Sequence, residues 1–278
     1  MKTKTRLLIV LAVCLVLINI TAARPRSIFA EIPVPGWTDD QILEYDIVAD
    51  GEPAGTATYS MRPVVYPDRR LLILEYELMH DQFYERGETR LDGENLATIR
   101  SKLVRRLPAT METEEEKYNY NAVYGERTAK VTYDTPVESG SSTITRQDES
   151  YPAEAVFMLL RALDFEKLSQ TGEFLNVRAF NLESRGYLTF SIMVTEPEPV
   201  VIPGRGEIDC YVLTFSHGSQ LFEVFYADEP THPMVKMENN QFALLISDRT
   251  EGFNTLLNLD ENPVLPGDQP FEGPEAVE

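Results

Sequence analysis

Cysteine is nearly missing from this chain. Its 278 residues include two, Cys14 and Cys210. Cys14 lies in an amino-terminal segment expected to be removed, so one thiol remains and an intramolecular disulfide is excluded. Histidine is almost as scarce. His80, His217 and His232 stand in unrelated contexts, with no H-x-x-x-H and no C-x-x-C, so the usual zinc spacings are missing. No G-x-S-x-G occurs, and Ser139-Gly-Ser-Ser142 is a polar loop. Basic charge is in deficit: 25 Lys and Arg against 45 Asp and Glu give a formal charge of −20. Such a surface repels nucleic acid and anionic lipid headgroups. After Ile20, no stretch is apolar for long enough to cross a membrane as a helix.

What is present begins with an export pattern. Lys2, Lys4 and Arg6 precede a mostly apolar run from Leu7 to Ile20, followed by Thr21, Ala22 and Ala23 and then Arg24-Pro25. A charged head, a greasy middle and a small-residue exit make a secretory signal peptide. Residues 1–30 are assigned to it, with cleavage after Ala23 or Ala30. An uncleaved membrane anchor is the alternative, although the run falls short of the roughly 20 residues a spanning helix needs. Leu11-Ala-Val-Cys14 is a poor lipoprotein motif, because Val13 is bulky and the apolar run continues past Cys14. Loss of residues 1–30 removes five basic residues and no acid, moving the charge from −20 to −25. The mature protein is expected to be exported, periplasmic or extracellular, without a transmembrane domain.

Residues 31–259 read as a single β-rich domain. β-type runs cover Leu43–Val48, Thr56–Met61, Leu71–Met79, Tyr84–Leu91, Glu94–Arg106, Lys117–Tyr124, Thr128–Tyr133 and Thr143–Arg146. They resume at Phe174–Asn181, Tyr187–Thr195, Ile208–Ser216, Gln220–Tyr226, Met234–Glu238 and Phe242–Ser247. Turn signals separate them: Asp50 to Gly55, Asp92-Gly93, Gly125-Glu126, Gly218-Ser219 and Asn239-Asn240. Ser150 to Leu163 interrupts the series as a helix, with Ser150 as cap and Pro152 in the first turn. Its apolar residues nearly encircle it, which requires burial on most sides. The fold class is therefore mainly β: a curved antiparallel sheet or half-barrel meander with one buried α-helix. Residues 260–278, acidic and rich in Pro and Gly, lack apolar periodicity and read as a disordered tail.

Reactive chemistry finds little support. In Val201-Ile-Pro-Gly-Arg-Gly-Glu-Ile-Asp-Cys-Tyr211 the G-x-G resembles a phosphate loop, but a β-type run follows it where a helix would be needed. Cys210 has no base within reach along the strand and is expected to be buried as a small hydrophobe. Arg100, Lys102, Arg105 and Arg106 read as a solvated strand edge. The Glu112 to Glu116 run reads as a solvated strand start. No catalytic residue, cofactor or metal ligand is assigned. The candidate site is apolar, a cavity or core formed by Phe157, Met158, Leu160, Leu163 and Cys210. Phe157, Leu160 and Leu163 form one helical stripe expected to dock on the inner face of the sheet. The sheet's concavity either holds a hydrophobic ligand or is filled by its own side chains.

Several segments, in order, resemble a bacterial envelope family known as domain of unknown function 3108. These are Tyr45-Asp-Ile-Val-Ala-Asp-Gly-Glu-Pro-Ala-Gly-Thr-Ala57, Met158-Leu-Leu-Arg-Ala-Leu163, Val201 to Tyr211, Glu223-Val-Phe-Tyr-Ala-Asp228, Pro233-Met-Val-Lys236 and Phe242-Ala-Leu-Leu245. The resemblance spans about Leu43 to Ser247. It implies an exported antiparallel β-rich domain, a Pro203–Gly206 hairpin and no particular reaction. The expectation is non-catalytic binding of a hydrophobic small molecule or an envelope protein. The alternatives are a filled-core interaction protein or an enzyme of unrecognised type.

Overall fold

Alternation along the strands builds one sheet. In the computed structural model, which describes residues 40–109, 114–147, 150–202, 206–217, 220–229, 231–239 and 242–247, sixteen strands belong to it. The first eight are β1 (Gln41–Ala49), β2 (Glu52–Val65), β3 (Arg70–His80), β4 (Phe83–Asp92), β5 (Thr98–Leu107), β6 (Glu116–Tyr124), β7 (Thr128–Asp134) and β8 (Ser139–Thr145). The helical region follows, with β9 (Ser150–Pro152), α1 (Ala153–Leu159), a 3₁₀ turn (Leu160–Ala162) and α2 (Phe165–Thr171). Then come β10 (Leu175–Asn181), β11 (Gly186–Val194), β12 (Glu198–Ile202), β13 (Gly206–His217), β14 (Gln220–Ala227), β15 (Met234–Glu238) and β16 (Phe242–Ile246). The signal segment 1–30, the tail 260–278, Pro203 to Arg205, Gly218-Ser219 and Asn240 lie outside the described residues.

β1 shows how the pattern works. Leu43, Tyr45 and Ile47 are buried and alternate with half-buried Ile42, Glu44 and Asp46, as a pleated strand with one covered face requires. Asp50 and Gly51 both have positive φ and reverse the chain into β2, the backbone of a primed hairpin turn whose twist suits the sheet. The turn is thus two residues long. Glu52 to Gly55, expected to belong to it, are already strand, and the register shifts between Ile47 and Val48.

The sheet is a meander in two runs. β1 through β8 pair in chain order, and so do β13 through β16, with β1 antiparallel to β16 joining the runs. β11 and β12 both pair with β13. β9 and β10 form a parallel pair, and the helical segment is the crossover that a parallel pair needs. Among the described residues no ladder joins β8 to β9, so the sheet is open and not closed into a barrel. The two ends still meet. β8 and β9 are consecutive in the chain yet stand at opposite ends of the strand path, linked by residues 146–149. Side chains close the seam. Tyr187 Oη donates to the Thr145 carbonyl at 3.2 Å, and Arg185 Nη2 pairs with Glu138 Oε1 at 2.9 Å. The Arg185 guanidinium also lies 4.4 Å from the Tyr133 ring centre.

Two expectations are corrected here. The helix does not run unbroken from Ser150 to Leu163. Ser150 belongs to β9 and its hydroxyl donates to the Gln147 carbonyl, so it caps nothing. The helix starts after Pro152, tightens into the 3₁₀ turn, and leaves Leu163 extended. A second helix, α2, follows. Asp164 accepts from Lys167 N at its start and Gly172 closes it in the left-handed conformation. The basic cluster is not at an edge either, since β5 lies between β4 and β6 and bonds to both.

Candidate functional site

α1 is held in place by polar contacts as well as by packing. Tyr226 Oη donates to the Phe157 carbonyl at 2.8 Å. Arg161, 2% exposed, donates through Nη2 to the Thr231 carbonyl at 2.9 Å and through Nε to the Thr231 and His232 carbonyls at 3.2 Å. Burial pulls its guanidinium down to about 10, while Tyr45 and Tyr226 oppose the shift. Tyr45 Oη donates to the Met234 carbonyl at 2.7 Å. The Tyr226 and Arg161 bonds tie the helical segment to β14 and to the turn before β15, and the Tyr45 bond ties β1 to β15. Below α2, Phe165 stacks on Tyr211 and Tyr226, and the His232 ring meets it edge-on at 4.8 Å. His232 is a turn residue with φ of 41°, as its Thr-His-Pro context implies.

One flank of α1 faces a cavity of about 420 Å³. Phe157 and Val156 wall it from the helix, and Phe190, Phe215, Phe222 and Phe242 from the sheet. Ala153, Ala179, Leu188 and Met237 complete the lining, so every side chain around it is apolar. Phe215 meets Phe157 edge-to-face at 5.6 Å and Phe190 at 6.2 Å. Phe157, Leu188, Phe190, Phe222 and Phe242 are only half-buried. Large aromatic surface therefore borders the space without being fully withdrawn from water. A site of this size and lining suits an apolar molecule and offers no polar side chain to a reaction.

The other flank of α1 is polar. Glu85 on β4 faces the interior and is 8% exposed. Its Oε1 accepts from Tyr76 Oη at 2.6 Å and its Oε2 from Arg105 Nε at 2.6 Å. Arg105 Nη1 reaches Glu183 Oε1, in the turn after β10, at 2.5 Å. One guanidinium thus ties the interior strand β5 to the turn after β10. Burial works against its charge, but Glu85 and Glu183 more than offset that and hold the proton more firmly. Burial raises Glu183. Glu154, in the first turn of α1, is half-buried as a residue, yet its Oε2 is shielded from solvent and has no hydrogen-bond partner. Burial, reinforced by Glu85 and Glu183, pushes its carboxyl up to about 8.

The candidate residues divide three ways. Phe157 lines the cavity. Met158, Leu160 and Leu163 are buried, at 1%, 0% and 4% exposure, and belong to the filled core beside it. Cys210 is buried at 0% exposure but alternates with Tyr211 and lies on the opposite face of β13 from Phe215, away from the cavity. Its Sγ donates to the Ile208 carbonyl at 3.4 Å, and burial, with Asp209 and Glu198 nearby, pushes the thiol up to about 12. The concavity is thus mostly filled, with one space left open. The sheet-side aromatics were missed as site residues. Their signal was the alternation Leu188-Thr189-Phe190 and the inward parity of Phe215 and Phe222 on paired strands. Glu85 was also missed, although it shares a strand face with Gly87, Thr89 and Leu91.

Among the described residues, no group of three or more His, Cys, Asp and Glu side chains is placed to hold a metal, and no helix is long and apolar enough to cross a membrane. Searches of the chain against protein-family models, curated proteins and solved structures found no match.

Proposed function

We propose that this chain is an exported, non-catalytic binding protein that holds an apolar ligand in the cavity beside α1. Membership of the envelope family that its segments resemble is part of the same proposal. The observation that carries the reading is the all-apolar lining with five phenylalanines around about 420 Å³. A space of that volume lies within the range of small-molecule sites, and its lining asks for burial of hydrocarbon and not for a specific hydrogen bond. Catalysis is the weaker reading because the carboxylates beside α1 are occupied or inaccessible. Both Glu85 oxygens are engaged, and Glu154 Oε2 is out of contact with solvent.

The test uses N-phenylnaphthylamine, an uncharged probe that fluoresces when it leaves water. Saturable binding is expected. Ala179→Leu should abolish it, because Ala179 is 1% exposed and lines the cavity, so the added carbons enter the space a ligand would use. The melting temperature should hold or rise, as in cavity filling. No binding to the folded wild type, or full binding to the filled variant, would sink the proposal and leave the interaction-protein reading ahead.

A further inference from the structure

α1 has two unlike flanks: the apolar cavity on one, and on the other the Arg105 guanidinium that bridges β4, β5 and the β10–β11 turn. Glu154 stands on the second flank. We propose that Glu154 is a proton-operated latch on the cavity. With its carboxyl neutral, α1 stays seated against the closed seam. When it ionises, a third negative charge appears beside Glu85 and Glu183, α1 loosens, and the cavity it walls releases its ligand. The release step rests on the reading of the cavity as a ligand site.

A hydrogen bond from its own backbone N–H is the one influence on Glu154 that favours its negative charge, and burial outweighs it. β4 presents Glu85, the turn after β10 presents Glu183, and both are acids. β3 presents Tyr76, whose hydroxyl is already donated to Glu85, and β6 presents Tyr124, which pairs with Ser101 Oγ at 2.9 Å. Arg105 is taken up by Glu85 and Glu183. Arg161, further along the same helical segment, is turned to the Thr231 and His232 carbonyls. A buried carboxylate with acids on two sides stays protonated by preference.

The sign follows from linkage. Burial pushes this carboxyl up to about 8 in the folded protein, whereas an ordinary glutamate titrates near 4.5. The stabilisation is full below the lower value and is lost as pH rises through the interval to the upper one. Raising the pH, not lowering it, opens the latch. Removing a neighbouring acid should let Glu154 ionise earlier, so Glu183→Gln should move the transition to lower pH.

Two measurements on the full chain decide the matter, with Glu154→Gln as the permanently neutral variant. Affinity for N-phenylnaphthylamine is compared at about pH 6 and about pH 9.5, where the probe itself does not titrate. Wild type should weaken by about tenfold and Glu154→Gln by less than about twofold, a coupling of ordinary size. Independently of any ligand, amide exchange of residues 153–159, corrected for intrinsic rates, should lose protection over the same interval in wild type only. Parallel exchange profiles for the two proteins would overturn the latch. Absence of probe binding at both pH values would overturn the ligand reading and the release step with it, while the exchange profiles still decide whether Glu154 governs the helix.

Discussion

Cys210 and Glu154 are both pushed upward by burial, with opposite consequences. A thiol raised to about 12 is neutral at any physiological pH, so burial leaves Cys210 inert. A carboxyl raised to about 8 titrates close to physiological pH, so burial makes Glu154 responsive. Thiol reagents should therefore label native Cys210 slowly, at a rate set by opening of β13 and not by pH. Cys210→Ser should cost about 1–3 kcal/mol from a buried hydroxyl in place of the thiol. The check is the labelling time course with and without denaturant. Rapid labelling of intact protein would show that β13 does not cover the sulfur. A third residue explains a small side chain: a Cβ on Gly87 would lie 2.1 Å from Tyr76 Cε1. Only glycine lets the Tyr76 ring lie across β4 and deliver its hydroxyl to Glu85.

At the level of elements, legibility tracked how local each signal was. Strands were legible from alternation, as in β1 and β4, because the pleat imposes its period on any strand with one covered face. The existence of the helix was legible from Ala155 to Leu160, but its limits were not. Ser150 was taken into a parallel pair with Arg178 by a partner 28 positions away, and no local rule anticipates that. α2 carries local end signals, Asp164 before it and Gly172 after it, but it is only seven residues long and too short to show a helical period. β12 is short and pairs only with the start of β13, so it offers little pattern of its own. The role of α1 as a wall is testable through Leu160, which is fully buried in the adjoining 3₁₀ turn. Leu160→Ala should lower stability by about 2–5 kcal/mol, the range for emptying a buried leucine site. Thermal unfolding measures it, and an unchanged melting temperature would mean that the segment is peripheral to the fold.

The molecule as a whole is governed by where the sheet ends meet. Sequence pattern reached the class, a meander of antiparallel strands about a helix, but not the seam, because closure depends on contacts between residues far apart in the chain. Arg105 is the example. Among Arg100, Lys102 and Arg106 it resembles one more solvated base, and only the fold sets it between Glu85 and Glu183. The seam has side-chain bonds where a closed barrel would have a ladder, so its strength should lie in a few residues. Arg105 is 33% exposed and Glu183 30%, so water screens the pair in part and its coupling should be modest. A double-mutant cycle with Arg105→Met and Glu183→Gln should give about 0.5–1.5 kcal/mol. Arg105→Met alone should cost more than Glu183→Gln alone, because it also strips the buried Glu85 of its cation. Residues 139–145 and 186–187 should lose amide protection together in Arg105→Met, since they flank the seam on either side. Loss confined to β5 would show that Arg105 serves its own strand and that the ends of the sheet are held by Tyr187 and Arg185 instead.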